Sequence, residues 1–296
     1  MNALERGFLL LSSQLGNPNR RPLSTAQLRN LAERIQSSEF PKEDRDLIPS
    51  DLVALGYGWD MAQRIVDLLG EEELLAHYLY RGQKLGCVAI TRVSEGYPLI
   101  LRKRLGLESP GCLWVRGDAV ILNTPAISLV GSRELAEPNR IFAEEVGRQA
   151  ALQGLTLVSG NARGADRTAQ ESCLEAGGRV ISVVADELYK HPLRENMLYI
   201  SEESFDSEFS AQRAISRNRV IHALGRMVFV AQSSLGKGGT WDGTVKNLRF
   251  GWSSVGCYRD GSEASLQLEQ MGAYLVEESD LQDLGLLPEE AISLFE

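Results

Sequence analysis

Two rhythms of apolar and polar residues divide the chain. Up to about residue 80 the apolar positions recur at helical spacing: Ser24 precedes a stripe of Leu28, Leu31 and Ile35, and two further segments, 51–55 and 61–69, are separated by Gly56 and Gly58. The pattern predicts a small helical module over residues 1–80 without a cluster of chemistry-bearing side chains, suited to packing or recruiting. From Lys84 the texture changes to short strands and turns, with apolar runs at 88–90 and 112–115 among Gly96-Tyr97-Pro98, Pro110 and Gly117-Asp118.

A repeat of strand, glycine turn and helix follows. Residues 126–130 form an apolar run that stops at Gly131-Ser132-Arg133 and is followed by helical spacing over 141–152. Residues 155–159 repeat the pattern, stop at Gly160 and pass through Arg163-Gly164-Ala165-Asp166 into a helix that ends at Gly177-Gly178. Buried-type strands follow at 180–184 and 227–231, and the runs at 255–257 and 273–276 read as edge strands around a helix with Leu266 and Leu268. Consecutive βα units imply a parallel sheet, an α/β fold.

The carboxyl edge of such a sheet gathers helix N-termini and free backbone N–H groups, a setting for anions. Arg133 and Arg163 fall in neighbouring loops of that edge, each after a glycine that lets backbone approach a phosphate. A third loop, 232–244, brings Gly236, Gly238 and Gly239 with Lys237, Thr240 and Thr244 as phosphate partners. The spacing is neither Gly-x-Gly-x-x-Gly nor a Walker loop, which disfavours ordinary NAD and ATP chemistry. Phe205 and Phe209 precede Arg213 and Arg217-Asn218-Arg219; Phe205 reads as core, and Phe209 equally as core or as a base-stacking surface.

Composition narrows the class. The 296 residues are 43% hydrophobic, with no apolar run near the roughly 20 residues that span a bilayer. Residues 7–11 lack the charged start and cleavage site of a signal peptide, so a cytoplasmic protein is expected. Cys87, Cys112, Cys173 and Cys257 are scattered, as are His77, His191 and His222, so neither a metal nor a histidine-centred site is expected. The net charge of −9 resides in residues 259–296, where ten acids face Arg259 alone; residues 204–250 hold seven bases against three acids. A basic face on an acidic protein is therefore possible, with the acidic end directing nucleic acid away from itself.

The succession Gly96-Tyr97-Pro98, Trp114 to Asp118, Ser128 to Arg133, Ser159 to Asp166 and Arg217-Asn218-Arg219 resembles the DprA/Smf family of DNA-processing proteins over residues 80–285. The resemblance implies an extended Rossmann-like, mostly parallel sheet with helices on both faces over 81–290, after a small SAM-like helical module at 1–80. It further implies binding of single-stranded DNA without catalysis or cofactor, homodimerisation, and assistance in loading a RecA-type recombinase during transformation. Carried over by position, Gly131, Ser132, Arg133, Ser159, Gly160, Arg163, Gly164, Arg217, Asn218 and Arg219 line the DNA pocket, joined by Phe209, Lys237, Gly238, Gly239 and Thr240. The family's C-terminal winged helix is not expected here, because the core-like pattern runs to about Leu284 with only a dozen residues after it.

Some positions depart from the family pattern: Gln232 replaces an acid, Lys237-Gly238-Gly239 replaces Ser-Gly-Ser, and Lys190 and His191 separate a tyrosine and proline that are normally adjacent. Two rivals follow. A LOG-type nucleotide phosphoribohydrolase carries a related glycine loop, but it needs a carboxylate where Thr244 stands, with Asp242 as the substitute on offer. The other rival senses a small nucleotide and uses the N-terminal helices as transmitter.

Overall fold

The computed structural model describes residues 1–38 and 45–286; Glu289, Glu290, Glu296 and the last part of the expected 81–290 domain lie outside the described residues. Five helices come first: α1 (Ala3–Ser12), α2 (Thr25–Gln36), α3 (Pro49–Ala54), α4 (Trp59–Gly70) and α5 (Glu72–Lys84). Ser24 caps α2 through a reciprocal exchange with Gln27, which fixes the start of the Leu28 and Leu31 stripe. Leu23, Leu31, Leu52, Ala62, Ile65 and Leu68 form a core within these helices. Leu9 and Leu10 of α1 and Leu75 and Tyr78 of α5 instead join the core under the sheet, fastening the helices to it.

Among the described residues nine strands form one sheet. In chain order the elements are β1 (Val88–Thr91), α6 (Leu99–Leu105), β2 (Cys112–Arg116), β3 (Ala126–Val130), α7 (Glu137–Leu152), β4 (Thr156–Ser159), α8 (Ala165–Glu175), β5 (Arg179–Val183), β6 (Met197–Ser201), α9 (Ala211–Ser216), α10 (Asn218–Leu224), β7 (Met227–Val230), α11 (Gly239–Phe250), β8 (Ser254–Tyr258), α12 (Glu263–Gln270) and β9 (Tyr274–Val276). Their spatial order is β1-β2-β6-β5-β4-β3-β7-β8-β9. The two pairings made by β2 are antiparallel and all others parallel, which is the extended Rossmann-like α/β arrangement. Side chains alternate between two layers: Ile127 and Leu129 of β3 pack with Phe142 and Ala169 of α7 and α8, whereas Ala126 and Val130 pack with Leu101, Val220 and Leu268 of α6, α10 and α12.

One strand expectation needs correction, and one strand was not expected. Residues 255–257 belong to β8, which is interior, because β9 adds a further parallel strand outside it. The fully buried β6 was not anticipated, since its short apolar run follows a proline-containing loop that ends at Asn196 with φ +58°. Phe205 is core as expected: its ring centroid lies 4.9 Å from that of Tyr78 and 4.8 Å from that of Trp114. Such pairs are each worth about 0.5–1.5 kcal/mol beyond area burial, so the trio clamps α5 to β2 and to the chain that leaves β6. No helix among the described residues is long and apolar enough to cross a membrane.

Candidate functional site

The chain order reverses at β3, which has β4 on one side and β7 on the other, so the carboxyl ends of these strands open a crevice. Hydrogen bonds lace its rim: Ser132 N–H donates to the Gln232 carbonyl at 3.0 Å, and Ala165 N–H to the Ser132 carbonyl at 3.1 Å. The Gln232 side-chain carbonyl accepts from Ala136 N–H at 2.9 Å, at the start of α7. At this departure from the family pattern, a carboxamide does the capping that a carboxylate could do.

The crevice encloses about 470 Å³, with Gly131, Ser132 and Arg133 on one wall and Lys237, Gly238 and Gly239 on another. That volume suits a small ligand or a segment of a longer one. Gly238 provides no side-chain cap to α11, so the first N–H groups of that 12-residue helix remain for a ligand, beside the favourable end of the helix dipole. Thr240 is committed otherwise: its hydroxyl donates to the Gly131 carbonyl at 3.0 Å, while the Asn218 amide holds the Gly239 carbonyl at 2.9 Å. Arg133 and Lys237 are exposed and make no ion pair among the described residues. Phe209 overhangs the opening with 60% of its surface exposed, which removes the core alternative.

Beneath the cavity two opposite charges are buried, Asp166 at 7% and Arg217 at 8% exposure. Burial pushes the Asp166 carboxyl up; the Arg217 guanidinium and the Ala162 N–H at 3.2 Å oppose it. Burial lowers the Arg217 pKa in turn, against the pull of Asp166 and Asp186. Arg217 donates to the Val183 carbonyl at the end of β5, and its Nε, also buried, has no hydrogen-bond partner among the described residues. A methyl on Gly160 would stand 2.3 Å from both Asp166 Oδ2 and Arg217 Nη1, so glycine alone permits this approach. Ser159 is fully buried and does not line the cavity.

Gly164 has φ +84°, and a methyl there would stand 2.5 Å from the Ser132 and Arg133 carbonyl oxygens. Gly164→Ala is therefore expected to cost at least about 2 kcal/mol and to displace the Arg133 loop. A fall in the urea midpoint measures it, and an unchanged midpoint contradicts it.

Two further expectations change. Arg219 does not reach the cavity: it pairs with Glu202 at 2.7 Å and donates to the Glu108 carbonyl at 3.1 Å. Arg217 immediately precedes α10 and Arg219 is its second residue, and two helical steps turn a side chain by about 200°. Thr244, expected as a phosphate partner, is fully buried on the inner face of α11. Arg163 lies in an adjoining recess of about 250 Å³ that shares Arg133, Phe209 and Arg217 with the main cavity. Its 3.4 Å pair with Glu134 is largely exposed and therefore weak, leaving the guanidinium available.

The recess holds what sequence reasoning missed. His191 Nε2 lies 2.8 Å from Asp186 Oδ1, and its ring stacks on Tyr199 with centroids 4.9 Å apart. The hydrogen bond from His191 holds the Asp186 carboxyl below its usual range. Asp186 stood at a strand's carboxyl end, a positional signal; its pairing with a histidine arises from the course of the following loop. Larger clefts of about 910 and 880 Å³ lie beside α2 and α1, but Glu202, Glu203 and other carboxylates line them, which does not suit an anion.

The sequence model of the DNA recombination-mediator protein A family matches residues 88–280. The chain belongs to that family. Protein Smf of Escherichia coli is 31% identical over 160 residues, which take in 49% of this chain and 41% of that protein, so the matched part is under half of the relative's length. Two solved structures share the family fold. The DNA processing protein A of Streptococcus pneumoniae has a TM-score of 0.59 at 22% identity, covering 88% of this chain and 97% of that one. The DNA processing protein A of Helicobacter pylori, described for its single-stranded DNA binding mode, has a TM-score of 0.55 at 21% identity, covering 66% of this chain and 94% of the other.

Proposed function

We propose that this chain binds single-stranded DNA in the crevice at the carboxyl ends of β3, β4 and β7. Phosphates lie on Arg133, Lys237 and the N–H groups of α11, and a base lies against Phe209. The carrying observation is the convergence on one cavity of two exposed cations that make no ion pair among the described residues, an uncapped helix N-terminus and an exposed aromatic ring. Sequence-tolerant single-strand binding uses phosphate contact and base stacking together. In the cell the protein acts as a DNA-processing and recombination mediator that protects single-stranded DNA, works as a homodimer and passes the strand to a RecA-type recombinase. Membership of the family and the likeness to the Helicobacter protein support this reading.

The N-glycosidase alternative has less support. Its carboxylate position is occupied by buried Thr244, and Asp242 borders a different groove. Asp166, the acid that lines the main cavity, lies beside Arg217 and is buried.

Arg133→Ala is expected to weaken binding of every single-stranded sequence alike, by about tenfold or more, and to flatten the slope of log affinity against log salt by about 0.7. Fluorescence anisotropy with labelled oligonucleotides measures both quantities. An unchanged affinity and slope would remove Arg133 from the site.

A further inference from the structure

The last turn of α11 presents Lys246, Arg249 and Phe250 to solvent, with Phe250 at 61% exposure. The Phe250 ring stacks on Trp252 with centroids 5.7 Å apart and planes at 15°, and the Arg249 guanidinium lies 5.6 Å from the Phe250 centroid. Neither Lys246 nor Arg249 makes an ion pair among the described residues. A groove of about 300 Å³ runs along this surface, bordered by Lys246, Phe250 and Trp252. Ile215 and Asn218 border both this groove and the main cavity, so the two adjoin at these residues. Arg102 and Lys103 of α6, in the same helical layer, are also exposed and unpaired among the described residues. Asp242 and Glu108 border the groove as well; Asp242 lies one turn before Lys246, so a phosphate backbone is favoured toward the end of α11, where Lys246 and Arg249 stand.

We propose that a DNA strand seated in the main cavity continues past Asn218 and along α11 to a second subsite, where a base stacks on Phe250 and phosphates meet Lys246 and Arg249. The inference rests on the reading that the main cavity binds single-stranded DNA. The occupant is the same strand, because cations flanking a stacked aromatic pair complement phosphates flanking a base. At 1.5 Å per residue α11 is about 18 Å long, roughly five nucleotides at the 3.4 Å spacing of a B-form strand. A dinucleotide in the main cavity therefore does not reach the subsite, whereas an oligonucleotide of about fifteen does.

The test measures both ligands on the full chain, by anisotropy for the long one and by competition for the dinucleotide. Phe250→Ala should lower affinity for the longer strand about fivefold or more and leave the dinucleotide unaffected. The double variant Lys246→Ala with Arg249→Ala should flatten the salt slope for the longer strand by about 1.4. Unchanged affinity and slope for the longer strand overturn the second subsite, and so does an equal loss on both ligands. Arg133→Ala in the same assay separates the two readings: its loss with no effect at Phe250 removes the subsite alone, and no loss in either removes the main cavity too.

Discussion

Arg217→Met is expected to destabilise the protein by about 3–5 kcal/mol at neutral pH, the cost of leaving one member of a buried charge pair without its partner. Asp166 bears that cost. It is buried, its carboxyl is already pushed up by burial, and Arg217 is the first of the groups that oppose the shift. Without the guanidinium its folded-state pKa rises further. A carboxyl whose folded pKa is raised contributes its stability at low pH and loses it as pH rises through that value. The deficit of Arg217→Met should therefore shrink as the solution is acidified through the raised pKa of Asp166. The double variant Asp166→Asn with Arg217→Met should recover most of it, because no unpaired charge remains. Urea denaturation of the wild type and the two variants checks this, and an equal deficit in the single and double variants contradicts it. Since Arg217 also donates to Val183 and lines the cavity, the single variant should lose DNA affinity along with stability.

The second large effect lies one turn along the same helix. His222 is fully buried, both ring nitrogens are without hydrogen-bond partners among the described residues, and burial lowers its pKa from 6.5 to about 3. A histidine with a depressed folded pKa contributes fully above the unfolded value and loses that contribution as pH falls, because the unfolded chain takes up the proton first. The loss approaches 1.4 kcal/mol per pH unit, or about 3 kcal/mol between pH 6.5 and pH 4. The salt-bridged Asp51, held at about 2, adds a loss of the same sign only at lower pH. His222→Leu should flatten the fall in stability between pH 6.5 and about 4, as followed by urea midpoints. An unchanged fall would show that another group titrates there. Because α10 begins next to Arg217 and Asn218, acid opening of this helix should release DNA as well.

The fold could be read from the chain because its strands and helices announce themselves by period. The runs at 126–130 and 155–159 stop at glycine, and each glycine turn precedes a helix, so the parallel core and its carboxyl edge follow from local pattern. The loops that bring Arg133, Lys237 and Gly239 together could be placed at one edge for the same reason. Orientation was harder. Arg217 and Arg219 look equivalent in sequence, yet one is buried under the cavity and the other faces Glu202, a distinction made by helical phase. Thr244 looked like part of a glycine loop until α11 began at Gly239 and turned its side chain inward. The Asp186 and His191 pair could not be read, since it depends on the course of a loop without periodic pattern. Phe209 was undecidable because an aromatic beside arginines fits both a core and a stacking surface, and only its exposure separates them.

The measurement that bears most directly on the central claim is a titration of labelled single-stranded oligonucleotides of increasing length, at low and moderate salt, with duplex DNA and mononucleotides as competitors. Affinity should grow with length, fall with salt by about 0.7 in log-log slope for each phosphate contacted, and yield poorly to duplex or mononucleotide. A mononucleotide that binds as tightly as the longest oligonucleotide, with no dependence on length, would contradict a single-stranded DNA site and leave a small-nucleotide pocket in its place.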